Sequence, residues 1–150
     1  TFCLSKALCA PVGSVLCGTR DFIYRARRIR KQLGGGMRQA GILAAAGIVA
    51  LDEMIERLAE DHYRAGLLAT GLAKIPGMIL DAGTPATNMV FVSIDADQFI
   101  TASQAAARLA DEGIRVQVVG PRRFRLVVHY WIDEKAIGRT VETFARVMKG

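Results

Sequence analysis

Residues 2–18, Phe-Cys-Leu-Ser-Lys-Ala-Leu-Cys-Ala-Pro-Val-Gly-Ser-Val-Leu-Cys-Gly, restrict this chain more than any other stretch. Two apolar runs, Phe2–Leu4 and Val12–Cys17, meet at a turn that carries Pro11 and Gly13. That pattern spells strand, short crossing, strand. Lys6 stands where the backbone leaves the first strand. An ammonium drawn into apolar surroundings has its charged form disfavoured, and the resulting free amine is a nucleophile able to condense with a carbonyl. A lysine at a strand end can equally lay its methylenes along the surface and keep its charge in water. Chemistry alone leaves both roles open.

The chain's 150 residues, 51% hydrophobic and 23% charged, suit a globular domain with a real core rather than a disordered segment. It starts at Thr1 without a basic-then-apolar leader, so the expectation is no secretion signal and a piece of a longer chain. The longest apolar run, Ala40 to Leu51, is about half the roughly 20 residues that span a bilayer, and no membrane span is expected. Cys3, Cys9 and Cys17 lack CxxC spacing and a nearby histidine, which speaks against zinc and for buried, reduced thiols in a cytoplasmic protein. The net charge of +6 is concentrated. Arg20, Arg25, Arg27, Arg28, Arg30, Lys31 and Arg38 fall in one short stretch with a single acid, Asp21, and elsewhere the charges balance. A local anionic partner fits better than a generally basic surface.

Thr19 reads as an N-cap with Asp21 in the first turn, and Phe22, Ala26, Ile29 and Leu33 give the following helix one apolar stripe. Gly34-Gly35-Gly36 ends it. Its arginines are open to three readings: a solvated face, a nucleic-acid surface, or a phosphate site at a subunit contact. No interleaved aromatics or basic tail supports nucleic acid. From Arg38 to about Ile75 the pattern is one long helix, or two with a kink. Ala40–Leu51 is apolar all round, which predicts burial on every side, against a further domain or a second subunit. The later half is amphipathic, with Met54, Leu58, Ala65, Leu68 and Leu72 inward and His62 near the stripe's inner edge. Asp61 and His62 read as structural. Pro76-Gly77 breaks the helix and marks the expected boundary between residues 1–75 and 76–150. Beyond it come a strand at Asn88–Ile94, a helix at Thr101–Glu112, strands at Ile114–Val119 and Phe124–His129 joined through Gly120-Pro121, and a helix at Ile137–Met148 capped by Asp133. This βαββα order is an α+β layer with helices on one face, behind an α/β part. Alternation sets Arg123, Arg125 and Val127 on one face of the last strand, opposite Phe124, Leu126 and Val128.

Ser5-Lys-Ala-Leu-Cys-Ala-Pro-Val-Gly-Ser-Val-Leu-Cys-Gly18 resembles the cofactor-lysine segment of the low-specificity L-threonine aldolases, pyridoxal-phosphate (PLP) enzymes of the aspartate-aminotransferase-like fold. The resemblance continues in order through Arg30-Lys-Gln-Leu-Gly-Gly-Gly-Met-Arg-Gln-Ala-Gly41, Asp61-His62, Thr87-Asn-Met-Val-Phe91 and Arg125-Leu-Val-Val-His129. It implies that residues 1–75 close the PLP-binding large domain and that residues 76–150 form the small domain. It implies that Lys6 carries the cofactor, that Lys31 and Arg38 lie by its phosphate near a subunit contact, and that Arg125 grips the substrate's α-carboxylate. Val128 stands where the family usually has Thr, and Tyr130-Trp131 replace a more polar pair, so Arg123 is a rival for Arg125. His129 reads as a supporting or capping group. The implied reaction cleaves threonine, allo-threonine and related β-hydroxy-α-amino acids to glycine and an aldehyde, in a cytoplasmic homo-oligomer, dimer or tetramer. The family's general base and ring-nitrogen aspartate have no counterpart here, so this stretch alone is expected to be inactive. A β-eliminating lyase or a transaminase of the same fold is the alternative, with a non-catalytic basic module further behind.

Overall fold

A computed structural model describes residues 1–149. The chain divides into two compact units between Leu58 and Ala59.

In the first unit, β1 (Phe2–Cys3) and β2 (Ser14–Val15) form the antiparallel hairpin that the flanking apolar runs predict, though each strand is only two residues long. Helix α1 spans Arg20–Gln32, and the Thr19 hydroxyl accepts a hydrogen bond from Phe22 N (3.3 Å), so the expected cap is present. Helix α2 spans Gly41–Glu53. Its burial departs from expectation: only Gly47 and Ala50 are buried, whereas Ile42, Ile48 and Val49 are exposed. The unit contains one hairpin and one other helix, too little material to cover an all-apolar cylinder.

Helix α3 (Leu58–Ala73) follows after a turn over Met54–Arg57, so the long helix is two separate ones. Its inward residues Ala65, Leu68 and Leu72 are buried as the pattern requires. They join the second unit's core, and the division between the compact units falls after Leu58, the first residue of α3. His62 is exposed rather than at the inner edge, and its neighbour Asp61 is fully buried instead.

The second unit's sheet contains β3 (Met78–Leu80), β4 (Met89–Ile94), β5 (Gln117–Gly120) and β6 (Arg123–Val127), all antiparallel in the order β3-β4-β6-β5. Strand β3 adds one element to the expected βαββα. Helix α4 (Ala102–Asp111) starts from a capping box in which Thr101 and Gln104 satisfy each other's backbone N–H. Helix α5 (Glu134–Lys149) begins three residues earlier than predicted, with Asp133 Oδ1 accepting from Ala136 N at 2.7 Å. Val90, Val92 and Ile94 of β4 and Phe124 and Leu126 of β6 point to one face, where they meet buried side chains of all three helices. Phe124 and Phe144 pack edge to face, centroids 5.7 Å apart. At Gly71 a Cβ would fall 2.5 Å from Val141 Cγ2, so a glycine is what lets α3 and α5 approach. Helices therefore cover one face, and the other, with Phe91, Ser93, Arg123 and Arg125, carries the polar residues. Among the described residues no helix is long and apolar enough to cross a membrane.

Candidate active site

Lys6 opens a tight turn in which Cys9 N donates to Lys6 O (2.8 Å) and Cys9 takes a left-handed φ of 61°. Leu4 N to Gly13 O (2.9 Å) and Ala10 N to Leu4 O (3.1 Å) tie the loop's two arms. Leu8 and Ala10 are buried with Ala50 of α2, and Leu4 Cδ1 lies 3.1 Å from where a Cβ on Gly47 would stand. The loop is thus anchored on both sides of the lysine. Its ammonium is not drawn inward: Lys6 is exposed, because Leu8 and Ala10 occupy the inward positions and this small unit supplies no further apolar wall. The cysteines are likewise not buried. Cys3 is half-buried, and Cys9 and Cys17 are exposed free thiols, since a two-stranded hairpin has no second layer to cover them.

The three glycines after α1 have distinct tasks. Gly34 takes a φ of 81°, with Gly34 N donating to Lys31 O (3.2 Å) and Gly35 N to Arg30 O (2.8 Å), the paired bonds of a Schellman stop. Gly36 leaves room for a cation, because a Cβ there would be 2.9 Å from Lys31 Nζ. Lys31 is therefore folded back over the glycine corner. Arg38 is exposed in the bend that follows, where Gln39 has a φ of 48°.

In the second unit, Arg123 and Arg125 share the uncovered face but differ in their partners. Arg123 is ion-paired with Asp81, and its guanidinium carbon sits 5.1 Å from the centre of the Phe91 ring. Arg125 stands between Phe91 on β4 and Gln117 on β5. It is half-buried, and its Nε is sealed from solvent without a hydrogen-bond partner among the described residues. Leaving such a donor unsatisfied costs about 1–3 kcal/mol, which marks the position as one suited to an anion.

Arg125 borders a cavity of about 580 Å³ between the approach to β5, the end of β6 and the first turns of α5. Arg115, Lys135 and Arg139 also line it, against a single acid among the described residues, Asp133. His129 lines it too, and caps the turn after β6: its Nδ1 accepts from Trp131 N (3.4 Å) and its carbonyl from Ile132 N (2.8 Å). Asn88 clamps the same stretch, accepting from Val128 N (2.9 Å) and donating from Nδ2 to Val128 O (2.7 Å). Sequence reasoning missed Asn88's clamp, Asp81 and the cavity's other cations. Only Asn88 had a signal, its place in the Thr87–Phe91 segment. Lys6, Lys31 and Arg38 belong to the first unit, and Arg123 and Arg125 to the second.

The fold is shared with a cystine C-S lyase, solved with glycine linked to its PLP cofactor, at a TM-score of 0.56 and 23% identity over 71% of this chain and 28% of that one. A Listeria monocytogenes protein, provisionally described as an L-allo-threonine aldolase, shares the fold at a TM-score of 0.72 and 19% identity, over 98% of this chain and 42% of that one. The chain belongs to the beta-eliminating lyase family, which matches residues 1–97. It is 40% identical to low-specificity L-threonine aldolase 1 of Arabidopsis thaliana over 97% of its length, spanning 41% of that relative. With the low specificity L-threonine aldolase of Escherichia coli K12 the identity is 53% over 94 residues, 63% of this chain and 27% of the relative.

Proposed function

We propose that this chain supplies the lysine and the carboxylate-binding arginine of a PLP-dependent aldolase that cleaves threonine, allo-threonine and related β-hydroxy-α-amino acids to glycine and an aldehyde. The observation that carries the reading is Arg125, whose buried and unpartnered Nε borders a cation-lined cavity. A planar guanidinium offers a carboxylate two parallel bonds and fixes its orientation, which a lysine cannot do. Arg123, already committed to Asp81, is the weaker choice.

The residues present fit the cofactor. Lys6 offers an exposed primary amino group on a loop held at both ends, as a covalent anchor requires. Lys31 over its glycine corner, with Arg38 beyond, offers a point charge and a fork for the phosphate. When bound, PLP stores the electrons released as the Cα–Cβ bond breaks. Arg125 holds the carboxylate so that this bond can be set in the orientation that breaks. Asn88 and His129 fix the backbone beyond Arg125.

The exposed apolar side chains Leu33, Met37, Ile42, Ile48 and Val49 support a homo-oligomer, dimer or tetramer. We place the enzyme in the cytoplasm, where free thiols such as Cys9 and Cys17 stay reduced. The family match favours one second reading, a β-eliminating lyase. A coupled assay on the intact protein separates the two: acetaldehyde from threonine supports the aldolase, and pyruvate from serine or cysteine with no acetaldehyde overturns it.

A further inference from the structure

Arg123 and Arg125 are alternate residues of β6, so both side chains leave from the uncovered face, about 6.7 Å apart along the strand. Their surroundings pull them apart. Asp81, just past β3, holds the Arg123 guanidinium, and Ser93 Oγ donates to the other Asp81 oxygen (3.5 Å). Arg123 is thereby drawn across the Phe91 ring toward the β3 side, and it does not line the cavity that Arg125 borders on the β5 side. We propose that Asp81 is a specificity-determining residue: by holding Arg123 it leaves Arg125 as the one guanidinium of β6 presented to substrate, and so favours β-hydroxy-α-amino acids with one carboxylate over those with two. This rests on Arg125 being the carboxylate-binding group.

Asp81 acts in two ways. It occupies Arg125's neighbour on the same face of β6, which could otherwise clamp a second carboxylate two carbons from the first. It also adds a negative charge that an incoming second carboxylate must face. A strut role alone is a poor account of the pair. The Arg123 and Asp81 side chains are 49% and 26% exposed, and ion pairs that open to water add little to stability. The tether spans 42 residues of sequence and ends on the arginine that neighbours the substrate-binding one.

The test uses the intact holoenzyme as wild type, Asp81→Ala, Asp81→Glu and Asp81→Ala/Arg123→Ala. The first readout is the ratio of kcat/KM for β-hydroxyaspartate to that for threonine. The second is calorimetric affinity for two unreactive probes, succinate and acetate. Asp81→Ala is expected to raise the ratio and the succinate-to-acetate preference by about tenfold, the worth of one added charged contact. Asp81→Glu should restore the wild-type ratio, and the double variant should lose both gains. An Asp81→Ala enzyme with neither quantity changed overturns the proposal, as does a gain that survives removal of Arg123. If the wild type cleaves neither amino acid, the aldolase reading falls, and the succinate-to-acetate comparison still decides the role of Asp81.

Discussion

The two units of this chain solve the folding problem to different degrees. From Ala59 onward, eighteen apolar side chains are buried in one cluster between a four-stranded sheet and three helices. Before it, the corresponding cluster is Leu8, Ala10 and Ala50, and α1 buries nothing. Burial of a large apolar side chain contributes about 1.5–3 kcal/mol, so the second unit carries most of the stabilisation. The first unit carries Lys6, Lys31 and Arg38 at the turn after β1, the end of α1 and the bend beyond it, where local hydrogen bonds rather than a core define the backbone. Three candidate site residues thus lie where packing is thinnest, and Arg125 lies on the sheet face that the core leaves uncovered, so site and packing mutations should sort apart.

The largest expected effect is on packing. Phe124→Ala removes a fully buried ring packed edge to face on Phe144 and should destabilise the protein by about 3–5 kcal/mol in urea unfolding. A loss below 1 kcal/mol would break the comparison. Next comes Arg125→Lys, which keeps the charge but loses the fork. It should raise KM for threonine about 10- to 100-fold, with a smaller change in kcat, in steady-state kinetics. An unchanged KM would move the carboxylate elsewhere. Thr101→Ala takes away the capping box of α4 and should cost about 1 kcal/mol, visible as a lower unfolding midpoint. The smallest structural effect belongs to Lys6, the proposed cofactor anchor. Lys6→Ala should leave the melting temperature unmoved while eliminating turnover, because the exposed side chain takes no part in the core. A marked fall in melting temperature would show that Lys6 is structural after all.

Much of the second unit was legible because its signals are local. Alternation in Arg123–Val128 assigned the faces of β6, and Thr101 and Asp133 marked helix starts by their own side chains. The turn over Met54–Arg57 was not legible, since Asp-Glu-Met-Ile-Glu-Arg contains no glycine or proline and suits a helix at every position. Strand β3 is three residues long, too short for any period to show. Apolar patterning in α2 gave its composition correctly but not its exposure, because burial depends on what lies opposite. The candidate site followed the same rule. Lys6, Lys31 and Arg38 are marked by the segments around them, whereas the pairing of Asp81 with Arg123 exists only through the sheet's register. Nothing near either residue announces it. The choice of Arg125 over Arg123 therefore rests on contacts that strand alternation alone leaves equal.

The claim beneath the rest is that Lys6 is the covalent anchor of the cofactor. Reduction of the intact, PLP-loaded protein with borohydride, followed by peptide mapping, tests it directly. The pyridoxyl mass should appear on the peptide containing Lys6 and vanish in Lys6→Ala. A label on Lys31 or any other lysine, or no label, contradicts the account.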